Sequence, residues 1–114
     1  MITKELLEEM NKLTVEEFEH LVDTTLDEVQ DTLIVKAKEY RRNEDPLHNF
    51  RQASKIVDRP MEDVLWNGFA AKHLVSLQDL INEESTDMEM IDEKTRDLLC
   101  YLVLLRACFE ERIL

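Results

Sequence analysis

Glu93 and Asp97 stand four residues apart at the start of the last helix-forming stretch of the chain. On a helix that spacing puts both carboxylates on one face, and Tyr101 continues the face one turn later. Two carboxylates one turn apart can chelate a hard cation through oxygen. Acidic residues near a helix start also answer the macrodipole, so the pair has a plain structural reading too. The metal reading gains from the next turns of the helix. The face runs into Leu98–Leu105, apolar on nearly every side, where unneeded charge is unwelcome.

Three other polar groups interrupt apolar helical pattern. Lys72, Ser76, Asp79 and Glu83 form a stripe on one helix. As a site, Asp79 would join the metal cluster and Lys72 would hold a phosphate; otherwise the stripe is a solvated face. Lys36, Glu39 and Tyr40 close an earlier helix. A helix C-terminus explains its basic residues but not Glu39, whose charge is unfavourable there. His48 and Asn49, beside Phe50, could line a pocket mouth, although His48 reads more readily as a surface or capping residue. His73 falls on an apolar stripe and reads as a satisfied core histidine. The chain has no Gly-rich phosphate loop, no paired CxxC and no HExxH. Cys100 and Cys108 lie in apolar runs that raise a thiol pKa, so neither reads as a nucleophile.

The elements that must position these groups are helices. The chain has 114 residues, the size of one domain, with 44% hydrophobic and 35% charged residues. One Gly and two Pro leave little turn material, and the rest of the composition favours long helices. An all-α single domain, residues 1–114, is expected. Thr14 and Glu17 form a capping box, with Leu13 and Phe18 as its hydrophobic staple. The expected helices are a short one over 4–12, a long one over 14–42, a short one over 47–57, and long ones over 60–83 and 87–112. In the second, Phe18, Leu21, Val22, Val29, Leu33, Ala37 and Tyr40 keep helical spacing, and Phe50, Ala53, Ile56 and Val57 should face inward in the third. Trp66, Phe69, Ala70, His73, Leu74, Leu77, Leu80 and Ile81 share one stripe of the fourth. Gly68 sits mid-helix, where close approach of a backbone or ligand, or a kink, would account for it. Thr86 with Glu89 makes a second capping box, and Leu98–Leu105 should be a central rod surrounded by the others.

Net charge is −12, which repels phosphates and argues against nucleic-acid binding through a basic patch. A phosphorylated small molecule would need a divalent cation as bridge. No apolar run approaches the ~18 residues of a membrane span, and the opening residues read as an amphipathic helix rather than a signal peptide. Cys100 and Cys108 are ~12 Å apart along one helix, too far for a disulfide, and read as reduced core residues of a cytoplasmic protein. The long apolar rod is more than one small bundle covers, so self-association is expected.

Four blocks carry a resemblance. They are Lys36-Ala37-Lys38-Glu39-Tyr40; Asp45-Pro46-Leu47-His48-Asn49-Phe50; Trp66 to Leu80; and Glu93-Lys94-Thr95-Arg96-Asp97-Leu98-Leu99-Cys100-Tyr101. Together, over about residues 34–106, the chain resembles small, mostly phage-encoded proteins related to the MazG-like all-α nucleoside triphosphate pyrophosphohydrolases. The resemblance implies a four-helix core, assembly as dimers or tetramers, and cleavage of a nucleoside triphosphate to monophosphate and pyrophosphate. It implies Mg²⁺ held by Glu39, Asp79, Glu93 and Asp97, with Lys36, Asn49, Lys72 and Tyr101 on the nucleotide, in the cytoplasm of an infected host. The family's acidic pairs are spaced i, i+3. Here the second pair is i, i+4, and Glu28 with Asp31 is the i, i+3 alternative for the first. The competing expectation is a non-catalytic acidic phage protein that binds a protein partner through its charged surface.

Overall fold

The computed structural model describes residues 1–37 and 44–113. Every regular element among them is helical, in agreement with the all-α expectation. Helix α1 is Lys4–Met10 and α2 is Val15–Gln30, continued by a π-helical segment Asp31–Lys36. Helix α3 is His48–Val57. Rod α4 is composite: an α-turn Met61–Asp63, a π-helical stretch Val64–Ala70 and an α-helix Ala71–Asn82. Helix α5, Met88–Ile113, is the longest. The expected continuation of α2 to residue 42 lies outside the described residues beyond 37.

Local chemistry sets the ends. Thr14 and Glu17 form the expected reciprocal capping box. At α5 the capping oxygen is that of Asp87, which accepts from the Met90 N–H, rather than that of Thr86. Pro60 sits just before α4 with extended ψ, one residue earlier than expected. Asp58 and Glu84 both take left-handed backbone, at φ 55° and 51°. Each lets the next N–H close onto a helical carbonyl, Arg59 onto Ser54 and Ser85 onto Leu80. With one glycine in the chain, helix ends fall to residues that cost roughly 1 kcal/mol in this conformation.

The core lies toward the C-terminal end of α5. Leu47, Phe50, Leu65 and Cys108 are buried together, with Met61, Phe69, Leu104 and Leu105 packed around them. The Phe50 and Phe69 rings meet edge to face at 5.0 Å. Arg51 ties the loop to the far end of α5, bonding Asp45 at 2.7 Å and Glu111 at 2.8 Å. A second ion pair joins Arg112 to the mostly buried Glu62. In α4, Leu65 and Ala70 are both fully buried. Their five-residue separation is one π-turn, which shifts the inward face and leaves Ile81 exposed instead of inward.

Where expectations of burial fail, they fail toward exposure. Ile56 and Val57 of α3 are exposed. Of the inward positions expected on the second helix, Val29 is buried and Leu33 and Ala37 are half-buried, Phe18, Leu21 and Val22 are exposed, and Tyr40 lies outside the described residues. Leu99, Leu102 and Val103 of the expected central rod are exposed too, because no described residue covers that side of α5. Helix α2 packs against α5, where a 3.5 Å Glu28–Arg96 pair joins them beside the buried Val29, while the residues from 15 to 24 are exposed. The rest of α2, with α1, projects as an arm. The molecule measures 62 × 27 × 27 Å with a radius of gyration of 18.0 Å. A compact chain of this length would have about 13 Å.

Candidate functional site

Helices α4 and α5 pack along much of their length, and their seam holds the most unusual polar chemistry in the described structure. His73, on α4, is buried. Its Nδ1 lies 3.7 Å from Oδ2 of Asp97 on α5, beyond hydrogen-bond length, and that nitrogen is the buried side-chain polar atom without a partner among the described residues. The Tyr101 ring stands one turn beyond Asp97, 5.2 Å from the imidazole and tilted by 47°. Burial pushes the Tyr101 hydroxyl above its usual pKa, and the nearby Asp97 carboxylate pushes the same way. Cys100 is raised by the same two causes in the same order. The seam is therefore a polar cluster in a dry setting, with Asp97 still partly open to solvent.

The sequence-expected residues do not all gather there. Asp97 and Tyr101 do. Glu93 and Asp79 are exposed, as are Lys72 and Asn49. Lys72 and Asp79 lie on a solvated helix face, where Ser76 spends its hydroxyl on the Lys72 carbonyl. Glu39, Tyr40 and the side chain of Lys36 lie outside the described residues. No group of three or more His, Cys, Asp and Glu side chains is placed to hold a metal among the described residues. Asp97 with His73 offers two ligands. Mg²⁺ is commonly held by one or two carboxylates with water and substrate phosphates completing the shell, so a single carboxylate here fits that pattern.

His73 is the member that sequence reasoning placed as satisfied core. Its apolar-stripe position was a sound signal of burial and silent about its partner. Sequence reasoning did not single out Arg96. It bridges Glu28 of α2 at 3.5 Å and Asp92 at 3.4 Å, and so fixes α2 against α5 beside Asp97. A shallow cleft of about 290 Å³ opens where α2 passes into its π-helical segment, lined by Asp27, Gln30, Asp31, Ile34 and Val35. That volume lies at the small end of ligand pockets. π-Helical turns recur near functional sites, and here one continues α2 and another forms part of α4. No helix of the described residues is long and apolar enough to cross a membrane. Comparison with family models, with curated proteins and with solved structures finds no match to this chain.

Proposed function

We propose that the chain is a Mg²⁺-dependent nucleotide-binding protein of the nucleoside triphosphate pyrophosphohydrolase type. It would act as a homo-oligomer on nucleotides in the cytoplasm of a phage-infected host. The observation that supports it is the Asp97–His73–Tyr101 cluster. A carboxylate, an unpartnered imidazole nitrogen and a phenol are held together in a helix seam that apolar side chains would pack more cheaply. Mg²⁺, if held here, would supply charge neutralisation for the phosphates. Asp97 would hold that ion from the rim of the seam. His73 Nδ1 would accept a hydrogen bond from, or orient, a water on the Asp97 side. Tyr101, whose hydroxyl burial pushes above its usual pKa, would donate to a phosphate or sugar oxygen. Glu93, one turn before Asp97, and Asp79 would reach the same ion only through a ligand or a second chain, since each faces solvent.

That exposure favours a second reading, a non-catalytic acidic protein that binds a protein partner. The two separate in one experiment. Mg²⁺ and a panel of nucleoside triphosphates are titrated calorimetrically, with pyrophosphate release assayed in the same tubes. Metal-dependent binding that Asp97→Asn abolishes while helix content is kept supports the nucleotide reading. Absence of binding by the wild-type chain refutes it and leaves the partner-binding reading.

A further inference from the structure

A compact protein of 13.5 kDa exposes about 6,500 Å². This chain exposes 9128 Å², about 2,600 Å² beyond that expectation. Within this open surface, large apolar side chains stand exposed on the arm and on α5. On the arm, Leu6, Met10, Phe18, Leu21 and Leu26 are each half exposed or more. The α2 residues among them share a stripe that ends at the buried Val29. On the opposite part of the molecule, α5 has an inner face through Cys100, Leu104 and Cys108, and an outer face through Leu99, Leu102, Val103 and Phe109 that is left open. The two open stripes match in length. Val15–Leu26 and Leu99–Phe109 each span roughly 15 Å at the helical rise.

We infer that the α1–α2 arm of one chain docks along the outer face of α5 of a second copy, reciprocally, forming a two-fold dimer. This deepens and rests on the homo-oligomeric part of the proposed function, and does not depend on the nucleotide. The surplus on both chains together, about 5,000 Å², is the upper bound on what such docking could cover and reaches the scale of obligate homodimers. Charge selects the pairing. Residues 1–35 hold ten acidic and two basic side chains, −8 of the chain's −12. Arm against arm would set these like charges together; the 98–109 stretch of α5 carries no acidic side chain and one basic one, Arg106, so arm against α5 avoids that repulsion. A reciprocal exchange also closes the symmetry, so the assembly stops at two.

The test uses the full chain. Sedimentation equilibrium should give twice the chain mass. Phe18→Asp with Leu21→Asp on the arm, and separately Leu102→Asp on α5, should each weaken dimerisation at least tenfold with far-UV circular dichroism unchanged. Leu21→Cys in one preparation and Leu102→Cys in another, each beside the two buried native thiols, should form a disulfide-linked dimer when mixed under oxidation. A monomeric wild type at the highest soluble concentration overturns the inference, as does a dimer that the arm substitutions leave intact, or disulfides formed only between two Leu21→Cys arms. Nucleotide titration of the same samples keeps the two readings apart. A dimer that binds no nucleotide sinks only the nucleotide reading, and a monomer that binds it sinks only the docking.

Discussion

Replacing Gly68 by Ala should stabilise the protein. Gly68 lies within the π-helical stretch of α4, is exposed, and has no left-handed backbone angle to protect. A methyl built there meets no heavy atom within 4 Å beyond its chain neighbours and the helix's own adjacent backbone. The substitution therefore removes unfolded-state freedom without adding a clash, a gain of roughly 0.5–1 kcal/mol. At ~2.1 cal/mol/K per residue, a chain of this length has an unfolding entropy near ~240 cal/mol/K, so Tm should rise by about 2–4 °C. Thermal unfolding followed by circular dichroism reads the shift. Urea titration should show a higher midpoint at unchanged slope. A lower Tm would refute the reasoning, because it would mean that something approaches the Gly68 backbone closely enough to reject a methyl group.

Leu65→Ala should be costly. The side chain is fully buried among Leu47, Phe50 and Cys108, and such truncations cost about 2–5 kcal/mol. Urea unfolding measures the loss, and a cost below about 1 kcal/mol would show that the core around Leu65 is loosely packed. Asp45 supplies a pH dependence. Its hydrogen bonds from Arg51, and then that from the Leu47 N–H, lower its pKa to about 2. A lowered folded-state value contributes stability above the unfolded value near ~3.9 and loses it as pH falls toward about 2. A carboxyl-detected NMR titration should place the Asp45 midpoint at about 2 and return it toward ~3.9 in Arg51→Met. An unshifted wild-type midpoint would remove Arg51 as the tether of the loop.

Some of this structure is written locally and some is not. The Thr14–Glu17 box, the Glu44-Asp45-Pro46 break and the helix order depend on neighbours in sequence, and were legible there. Leu65 was missed because its burial depends on a π-turn, which changes the period that a helical-stripe reading assumes. Asp87 displaced Thr86 because either residue can cap and only the geometry of the turn chooses between them. Phe18 and Leu21 keep an inward pattern, but periodicity reports that a stripe needs a cover and not which element provides it. The same limit applies to the site. Asp97 and Tyr101 were found from spacing along one helix. The approach of His73 to Asp97 depends on how α4 and α5 pair, a long-range fact that no local signal encodes.

The two cysteines add a consequence of another kind. Cys100 and Cys108 are free and buried, and burial is the main cause that raises each thiol pKa. Neither reacts appreciably with a thiol reagent while the helices stay packed. Each is therefore a clock set into α5, two turns apart, the first beside the polar seam and the second in the apolar core. Labelling rates at the two sulfurs, resolved by mass spectrometry, would read the opening of these two regions separately, with no probe introduced into the chain.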